Sequence, residues 1–300
     1  MRIFVTGASG FVGSAVIADL IAAGHTALGL ARSDAAAEAV AKTGATVHRG
    51  SLEDLDSLRA GAKAGDGVIH CGFIHDFSKF MENLEIDRRA ILAMGETLAD
   101  TDKPMLVTSG MVPGTLGRPI LESDRAPPVG DPKRHPRAIS EDAADAAAAL
   151  GARVSAVRLP QVHGDGDHAF VPQLINVARE KGFSAYIGEG QGRWPAVHRF
   201  DAARVYRLAV EKGASNERYH AVADEGVPLR TIAEAIGKGL NVPVRSITPE
   251  QAQDHFGWFA MFAAMDLPTS SAWTQQRLGW TPTHVGLLED LAHGTYFSGT

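Results

Sequence analysis

The chain opens with Met1–Gly13, MRIFVTGASGFVG, and this stretch decides the fold. Its apolar residues Ile3, Phe4 and Val5 are typical of a buried strand, and the segment after Gly10 places apolar residues at helical spacing. A strand that turns through glycines into a helix presents free backbone N–H groups and the positive end of the helix dipole to an anion. The stretch therefore predicts a dinucleotide-binding turn. The alternative is an ordinary strand–helix connection.

The three glycines of this turn have separate roles. Gly7 permits the tight turn, Gly10 lets phosphates approach the backbone, and Gly13 brings the helix close to the strand. The residues predicted to contact the cofactor in this turn are Gly7, Ser9, Gly10, Phe11, Val12 and Gly13.

Strand and helix patterns alternate from residue 1 to residue 109, which predicts an α/β fold with a doubly wound parallel sheet of Rossmann type, flanked by helices. Strand three is predicted over Ala45–His48, and the helix after it over Leu52–Ala64. Residues 112–136 form a long Pro- and Gly-rich loop, a length that is usual for functional or mobile segments. We predict a cofactor-binding core over residues 1–160. A smaller C-terminal α/β lobe is predicted over 161–300, interleaved with the end of the sheet.

The composition limits partners and location. A net charge of −6 over 300 residues argues against nucleic acid as a partner, and no apolar run has the length of a membrane span. The first strand begins at once, and the single cysteine, Cys71, is compatible with a reducing compartment, so we expect a cytoplasmic protein. We expect Cys71 to pack near the cofactor. The alternative is a reactive thiol.

Several motifs resemble those of the short-chain dehydrogenase/reductase superfamily, in its extended, NAD-dependent epimerase/dehydratase-like branch. They are Thr6–Gly13, His70–Phe73, Thr108–Gly110, Arg158–Gly164, Val197–Asp201 and Leu278–Pro282. The resemblance implies an active-site hydroxyl at Ser109 and a small-molecule substrate. It also implies further cofactor contacts at Ser51, Leu52, Cys71, Gly72, Phe73, Pro160 and Val162.

The resemblance fails at the Tyr-x-x-x-Lys motif, because none of the four tyrosines has a lysine four positions later. Counting back from Arg158 by the family's spacing puts Arg137 at the lysine position and Lys133 at the tyrosine position. The segment thus resembles an atypical subgroup in which basic residues replace the motif. Arg137 is then expected to bind the nicotinamide ribose. The proton donor is either His135, whose side chain titrates near neutral pH, or Lys133, which stands at the tyrosine position. The alternative is that the segment is a solvated basic loop.

The end of the second predicted strand bears on the choice of cofactor. NAD-specific sites usually have an acidic residue there, whereas this chain has Arg32 and Ser33. An arginine can contact a 2′-phosphate through charge-assisted hydrogen bonds, so we favour NADP over NAD. The alternative for Arg32 is a solvated surface residue.

Two other segments contain residues that could have a chemical role. His163–His168, HGDGDH, is expected to be a polar loop near the cofactor rather than a metal site, because it lacks the further ligands of a calcium loop. The aromatic segment Phe256–Phe262 is expected to be core. The alternative is an apolar surface for substrate or for a homodimer.

Three functions remain open from the sequence. The first is an NADP-dependent oxidoreductase acting on a small carbonyl or hydroxyl compound. The second is a non-catalytic NADP(H)-binding redox sensor or regulator, which the missing tyrosine would explain. The third is an epimerase or dehydratase with tightly bound NAD, against which Arg32 and the missing tyrosine both argue.

Overall fold

A computed structural model of the protein describes residues 1–297. The strands are β1 Arg2–Thr6, β2 Thr26–Ala31, β3 Thr46–Arg49, β4 Gly67–His70, β5 Pro104–Ser109, β6 Arg153–Arg158, β7 Gln161–His163, β8 Ser184–Ile187, β9 Arg193–His198, β10 Arg218–His220, β11 Asp224–Pro228 and β12 Val244–Ile247. The helices are α1 Phe11–Ala22, α2 Asp34–Lys42, α3 Leu55–Ala64, α4 Phe80–Leu98, α5 Ile139–Ala149, α6 Phe170–Lys181, α7 Arg199–Lys212, α8 Leu229–Leu240, α9 Ala252–Phe256, α10 Ala260–Ala263, α11 Ala272–Leu278 and α12 Leu287–His293.

The central sheet has seven parallel strands in the order β10-β6-β5-β4-β1-β2-β3. Strand order reverses between β1 and β4, so a cleft opens beyond the carboxyl ends of these strands, where α/β folds bind ligands. The strands are apolar on both sides because helices cover both faces. Ile3 and Val5 join the core that contains residues of α1 and α7, whereas Phe4 joins the core that contains residues of α3, α4 and α5. The predicted α/β fold with a doubly wound parallel sheet is confirmed.

A third apolar core lies in the C-terminal half and includes Trp194, Ile232 and Phe259. Around it are a mixed sheet of order β11-β9-β7 and a parallel pair formed by β8 and β12. The same half of the chain also supplies β10 to the central sheet and α7 to its face. The division at residue 160 stays a prediction.

The buried carboxylate of Asp201 joins two of the sequence motifs. It accepts hydrogen bonds from the backbone N–H of Thr283 at 3.0 Å and of His284 at 2.8 Å. The indole of Trp280 donates to the Asp201 carbonyl at 3.1 Å. The Val197–Asp201 and Leu278–Pro282 segments are therefore held together at the start of α7.

Some predicted boundaries were wrong, and several short strands were missed. Helix α3 begins at Leu55 instead of Leu52, because the Asp54 side chain caps it by accepting from the Ser57 N–H at 3.0 Å. Strand β3 runs one residue later than predicted, over Thr46–Arg49. Strands β7, β9, β11 and β12 lack a clear alternating pattern and went unrecognised as strands. Within residues 1–297, no helix has the length and apolar character needed to cross a membrane.

Candidate active site and cofactor cleft

The glycine turn after β1 is built so tightly that only glycine fits at two positions. Gly7 has a φ of +64°, and a Cβ there would lie 2.7 Å from the Cys71 carbonyl carbon. A Cβ on Gly13 would lie 2.1 Å from the Gly7 carbonyl oxygen. Helix α1 therefore begins directly against the end of β1.

The N-terminus of α1 is free to receive an anion. No side chain caps it, its first turn contains no acidic residue, and its cap residue is Gly10. Ser9 and Gly10 are exposed, and Phe11 and Val12 are half-buried. This arrangement suits the pyrophosphate of a dinucleotide, for which exposed N–H groups and a positive dipole end are the usual ligands.

At the end of β2, the predicted 2′-phosphate ligands are exposed. Arg32 lies in solvent. Ser33 caps α2, its hydroxyl accepting from the Ala36 N–H at 3.2 Å. Asp34, the nearest acidic candidate for a ribose hydroxyl, forms an ion pair with Arg49. Two arginines therefore lie near this strand end, and the acidic residue is already paired.

The segment after β4 borders the glycine turn. The Gly72 N–H donates to the Thr6 hydroxyl at 3.0 Å, and the Leu52 side chain packs against Gly72. Ser51 accepts from the Glu53 and Asp54 N–H groups, each at 3.3 Å, and so turns the chain into α3. Burial raises the pKa of the Cys71 thiol to about 12, which makes it a packed residue rather than a reactive thiol.

A buried chain of hydrogen bonds runs from the glycine turn to the predicted catalytic segment. The Thr6 hydroxyl lies 2.7 Å from His70 Nδ1, and His70 Nε2 lies 3.0 Å from Asp87 Oδ1. The other oxygen of Asp87 accepts from Arg137 at 2.8 Å and from the Ser140 hydroxyl at 2.6 Å. The His70 ring thus bridges the Thr6 hydroxyl and the Asp87 carboxylate, with Nε2–H donating to the carboxylate. His70 belongs to a motif recognised in the sequence, but its contacts with Thr6 and Asp87 are not predictable from it, because these partners lie 64 and 17 residues away.

Asp87 is ionised and fixes Arg137. Burial alone would raise the pKa of Asp87, but the charge of Arg137 and the hydrogen bonds from His70 and Ser140 lower it to about 2. Arg137 also donates to the Thr108 carbonyl at 3.3 Å, and its guanidinium lies over the Phe73 ring, 4.2 Å from the centroid. Arg137 is therefore held at the end of β5, beside a residue predicted to contact the cofactor.

The two candidate proton donors have different surroundings. Lys133 is exposed, and its backbone N–H donates to Asp131 at 2.8 Å in a turn. His135 is half-buried and caps the turn that starts at Pro136, its Nδ1 accepting from the Arg137 N–H at 3.1 Å. Burial, and then the charge of Arg137, lowers the pKa of His135. His135 is therefore tied to Arg137, whereas Lys133 is not.

The Ser109 hydroxyl lies in a buried, charged surrounding. It donates to the Gly110 carbonyl at 3.5 Å and helps to lower the pKa of Glu141. Glu141 in turn accepts from Arg158 at 2.7 and 2.8 Å and from Arg218 at 3.2 Å. This surrounding favours a structural role, so a direct contact with substrate at Ser109 stays a prediction.

Among the four tyrosines, Tyr206 lies beneath the end of β5. Its hydroxyl is 2.7 Å from the Thr108 hydroxyl, which itself donates to the His70 carbonyl at 2.7 Å. Tyr206 must then donate its own proton to Thr108. Because burial also raises its pKa well above the usual value, this fully buried tyrosine is a poor replacement for the missing catalytic one.

The remaining predicted residues lie at the border of the two halves. Pro160 and Val162 are half-buried, and Val162 pairs with Val197 in the mixed sheet. His163 is fully buried, with its Nδ1 2.8 Å from Asp290 Oδ2. Over residues 1–297, no group of three or more His, Cys, Asp and Glu side chains could hold a metal ion. Trp194 is buried and donates to the Phe262 carbonyl at 3.2 Å, which is a packing role.

Comparison with known proteins agrees with this architecture. The model of the NAD dependent epimerase/dehydratase family matches residues 3–222. The chain belongs to this family. An uncharacterised protein of Schizosaccharomyces pombe is 50% identical over 99% of this chain and 100% of its own length. A 4-hydroxy-2-methyl-3-oxo-4-farnesyl-3,4-dihydroquinoline-1-oxide ketoreductase of Stigmatella aurantiaca is 30% identical over 84% of this chain and 77% of its own.

The crystal structure of the dTDP-glucose 4,6-dehydratase DesIV from Streptomyces venezuelae, with NAD and TYD bound, has the same fold. It superposes with a TM-score of 0.78 at 18% identity, covering 99% of this chain and 96% of the other. Membership in the epimerase/dehydratase family makes the protein one of a group of oxidoreductases and epimerases that bind NAD or NADP.

We predict that Asp87→Asn destabilises the protein in a pH-dependent way. At about pH 7 the free energy of unfolding should fall by about 3–5 kcal/mol, because Arg137 loses its buried counter-charge. A lowered carboxyl pKa stabilises the fold above about pH 4, and this contribution, about 2 kcal/mol, is lost as the pH falls towards about 2. Urea unfolding at several pH values measures the difference between wild type and variant, which should shrink in acid.

The matched control is Glu82→Gln, an exposed carboxylate on the same helix, α4. It should change stability by less than about 0.5 kcal/mol. An Asp87→Asn difference that stays constant down to about pH 3 would show that Asp87 is not a low-pKa carboxylate.

Proposed function

We propose that the protein is an NADPH-dependent oxidoreductase that reduces an apolar carbonyl compound. The observation that carries this proposal is the position of Arg137, held by Asp87 at the carboxyl end of β5 and joined through the same hydrogen bonds to the glycine turn. When bound, the cofactor would supply the hydride. The residues of the chain would bind the cofactor, orient the substrate oxygen and provide a proton.

Cofactor preference rests on Arg32. The exposed guanidinium is free to reach a 2′-phosphate, while pairing with Arg49 occupies the acidic group that would otherwise favour an unphosphorylated ribose. Arginine binds phosphate through charge-assisted hydrogen bonds. This argument favours NADPH over NADH.

We expect NADPH to bind at least about tenfold more tightly than NADH, a difference of about 1.4 kcal/mol. Arg32→Ala should remove most of this difference, measured by calorimetry with both cofactors. The control is Lys42→Ala, an exposed cation at the far end of α2 that pairs with Glu38. Equal affinities in the wild type would refute the preference.

Arg137 would contact the nicotinamide ribose or the substrate oxygen but would not donate a proton, since a guanidinium does not deprotonate in proteins. The proton then comes from a neighbour, and we favour His135 because it lies beside Arg137. Its Nδ1 accepts from the Arg137 N–H in the neutral form and would release that N–H on protonation. The imidazolium can serve as the acid only below its lowered pKa. Turnover should therefore already decline as the pH rises towards about 6.5, the ordinary pKa of an imidazole, and should be low above it.

We predict that His135→Gln removes this decline and lowers kcat by about 100-fold, on the scale of general acid catalysis, while NADPH affinity stays within about twofold. Lys133→Ala is the matched control, two residues away in the same segment, and should leave the pH–rate profile unchanged. If the double variant His135→Gln, Lys133→Ala keeps the full kcat at all pH values, this segment carries no acid–base chemistry.

The substrate class is inferred from an aromatic row, defined here as Phe73, Phe80, Phe77 and Trp258. The row starts under Arg137, continues with Phe73–Phe80 and Phe77–Phe80 ring distances of 6.3 and 5.9 Å, and ends with Phe77 stacked on Trp258 at 5.2 Å. Phe77 is 37% and Trp258 52% exposed. A surface of this kind, continuous with Arg137, suits a carbonyl compound with an apolar body. The ketoreductase relative, whose name gives a farnesylated ketone, supports this class.

Carbonyl compounds of increasing chain length test whether the substrate has an apolar body. With linear aldehydes, kcat/KM for NADPH oxidation should rise by up to about fourfold per added methylene. Trp258→Ala should flatten this dependence mainly through KM. Trp273→Ala is the control, since Trp273 is similarly exposed but stacks on Tyr219 away from the row. An unchanged slope in Trp258→Ala would reject the aromatic row as the substrate surface.

A further inference from the structure

Arg199, at the start of α7, is a half-buried cation directly beside the glycine turn. Its guanidinium lies over the Phe11 ring, 4.5 Å from the centroid, and donates to the Ser14 hydroxyl at 2.9 Å. Phe11 and Ser14 both belong to the first turns of α1. The C-terminal half of the chain thus places a positive charge within one turn of the helix N-terminus.

Arg199 lacks a close anionic partner. Within residues 1–297, no carboxylate oxygen forms an ion pair with it, and its buried Nε atom has no hydrogen-bond partner. The nearest acidic influence is Asp165, whose carbonyl accepts from Arg199 at 3.0 Å and whose carboxylate accepts from Thr295. By contrast, Arg207 on the same helix is paired with Asp19 of α1 at 2.6 Å. A partly desolvated guanidinium without a counter-charge is costly unless an anion binds to it.

The HGDGDH segment is shaped around this side chain. Gly164 has a φ of +129°, and a Cβ there would lie 2.9 Å from His198 Nε2 and 3.3 Å from Arg199 Cγ. Gly166, with a φ of +85°, lies against the Arg199 guanidinium. His168 then packs edge-on against Phe11, with ring centroids 5.9 Å apart. The glycines of the motif let the loop close over Arg199, and His168 follows onto the glycine turn.

We propose that Arg199 binds the pyrophosphate of the dinucleotide, so that the C-terminal lobe supplies a cationic ligand opposite the N-terminus of α1. This inference rests on the proposed function for the presence of the dinucleotide. It goes beyond that function in assigning the pyrophosphate contact to a residue outside the cofactor-binding core. Arg32 and Arg199 then bind different phosphates of the same molecule.

The test crosses two variants with three ligands. Arg199→Ala should weaken NADPH and NADH by the same factor, about tenfold or more, because both contain the pyrophosphate. It should leave the affinity for 2′-AMP, which has no pyrophosphate, unchanged. Arg32→Ala should do the opposite, weakening NADPH and 2′-AMP but not NADH. Calorimetry gives all six affinities, and the NADH affinity of Arg199→Ala should also depend less steeply on salt.

Arg207→Ala is the matched control, because it removes another arginine bridge between α7 and α1 without lying near the glycine turn. Its effect on NADH affinity should be less than about twofold. If Arg199→Ala fails to fold, Arg199→Lys, which keeps the charge, and Arg199→Gln replace it, and lysine should retain more affinity than glutamine.

Three results would overturn the proposal. In the first, an Arg199 variant binds NADH as tightly as the wild type. In the second, it loses affinity for NADPH only, and in the third, its loss of NADH affinity equals that of Arg207→Ala. A wild-type protein that binds NADPH while Arg199→Ala is unaffected refutes this inference alone. A wild-type protein that binds neither dinucleotide refutes the proposed function as well.

Discussion

The buried carboxylate of Asp87 determines how the candidate site is built. A carboxylate removed from water must be paired, and Asp87 meets this requirement with His70, Arg137 and Ser140. These partners come from β4, the segment before α5 and α5 itself, while His70 extends the chain to Thr6 at the end of β1. Because one group joins the ends of neighbouring strands, the glycine turn and Arg137 have a fixed relative position. A substitution of Asp87 would therefore disturb both the glycine turn and the position of Arg137.

The pairing also explains what an arginine can and cannot do at position 137. The charge of Arg137 is balanced by Asp87, so it has less effect on a neighbouring acid than an unpaired cation would. It can still orient a ligand through its remaining N–H groups, because three acceptors fix the orientation of its planar guanidinium. In the proposed reaction, binding and proton transfer would therefore be carried by different groups. His135, proposed for this role, contacts the Arg137 backbone and has the side-chain type that titrates near neutral pH.

A second buried ion network links α5 to the neighbouring strands β6 and β10. Glu141 pairs with Arg158 and Arg218, and Arg158 donates to the Asp124 carbonyl at 2.8 Å in the long loop. Burial lowers the pKa of the neighbouring His220 to about 4, so the ring is neutral and accepts from Arg158 while donating to the Ser270 carbonyl at 2.7 Å. This network holds the loop, β6 and β10 together.

Local patterns were enough to predict the fold, whereas the site depends on contacts distant in sequence. The glycine turn and the β–α alternation were recognisable because each is encoded within about a dozen residues. Ser109 shows what a local pattern cannot predict. Its position at the end of β5 is predicted correctly, but its charged surroundings come from Glu141 and Arg158, which are distant in sequence. The surroundings of Arg199 are even less predictable from local patterns, since its contacts with Ser14 and Phe11 span 185 and 188 residues. Its neighbours in the chain give no sign that α7 packs on α1. If Arg199 binds the pyrophosphate, cofactor binding and the packing of the two halves share one side chain, and bound dinucleotide should strengthen the contact between α7 and α1.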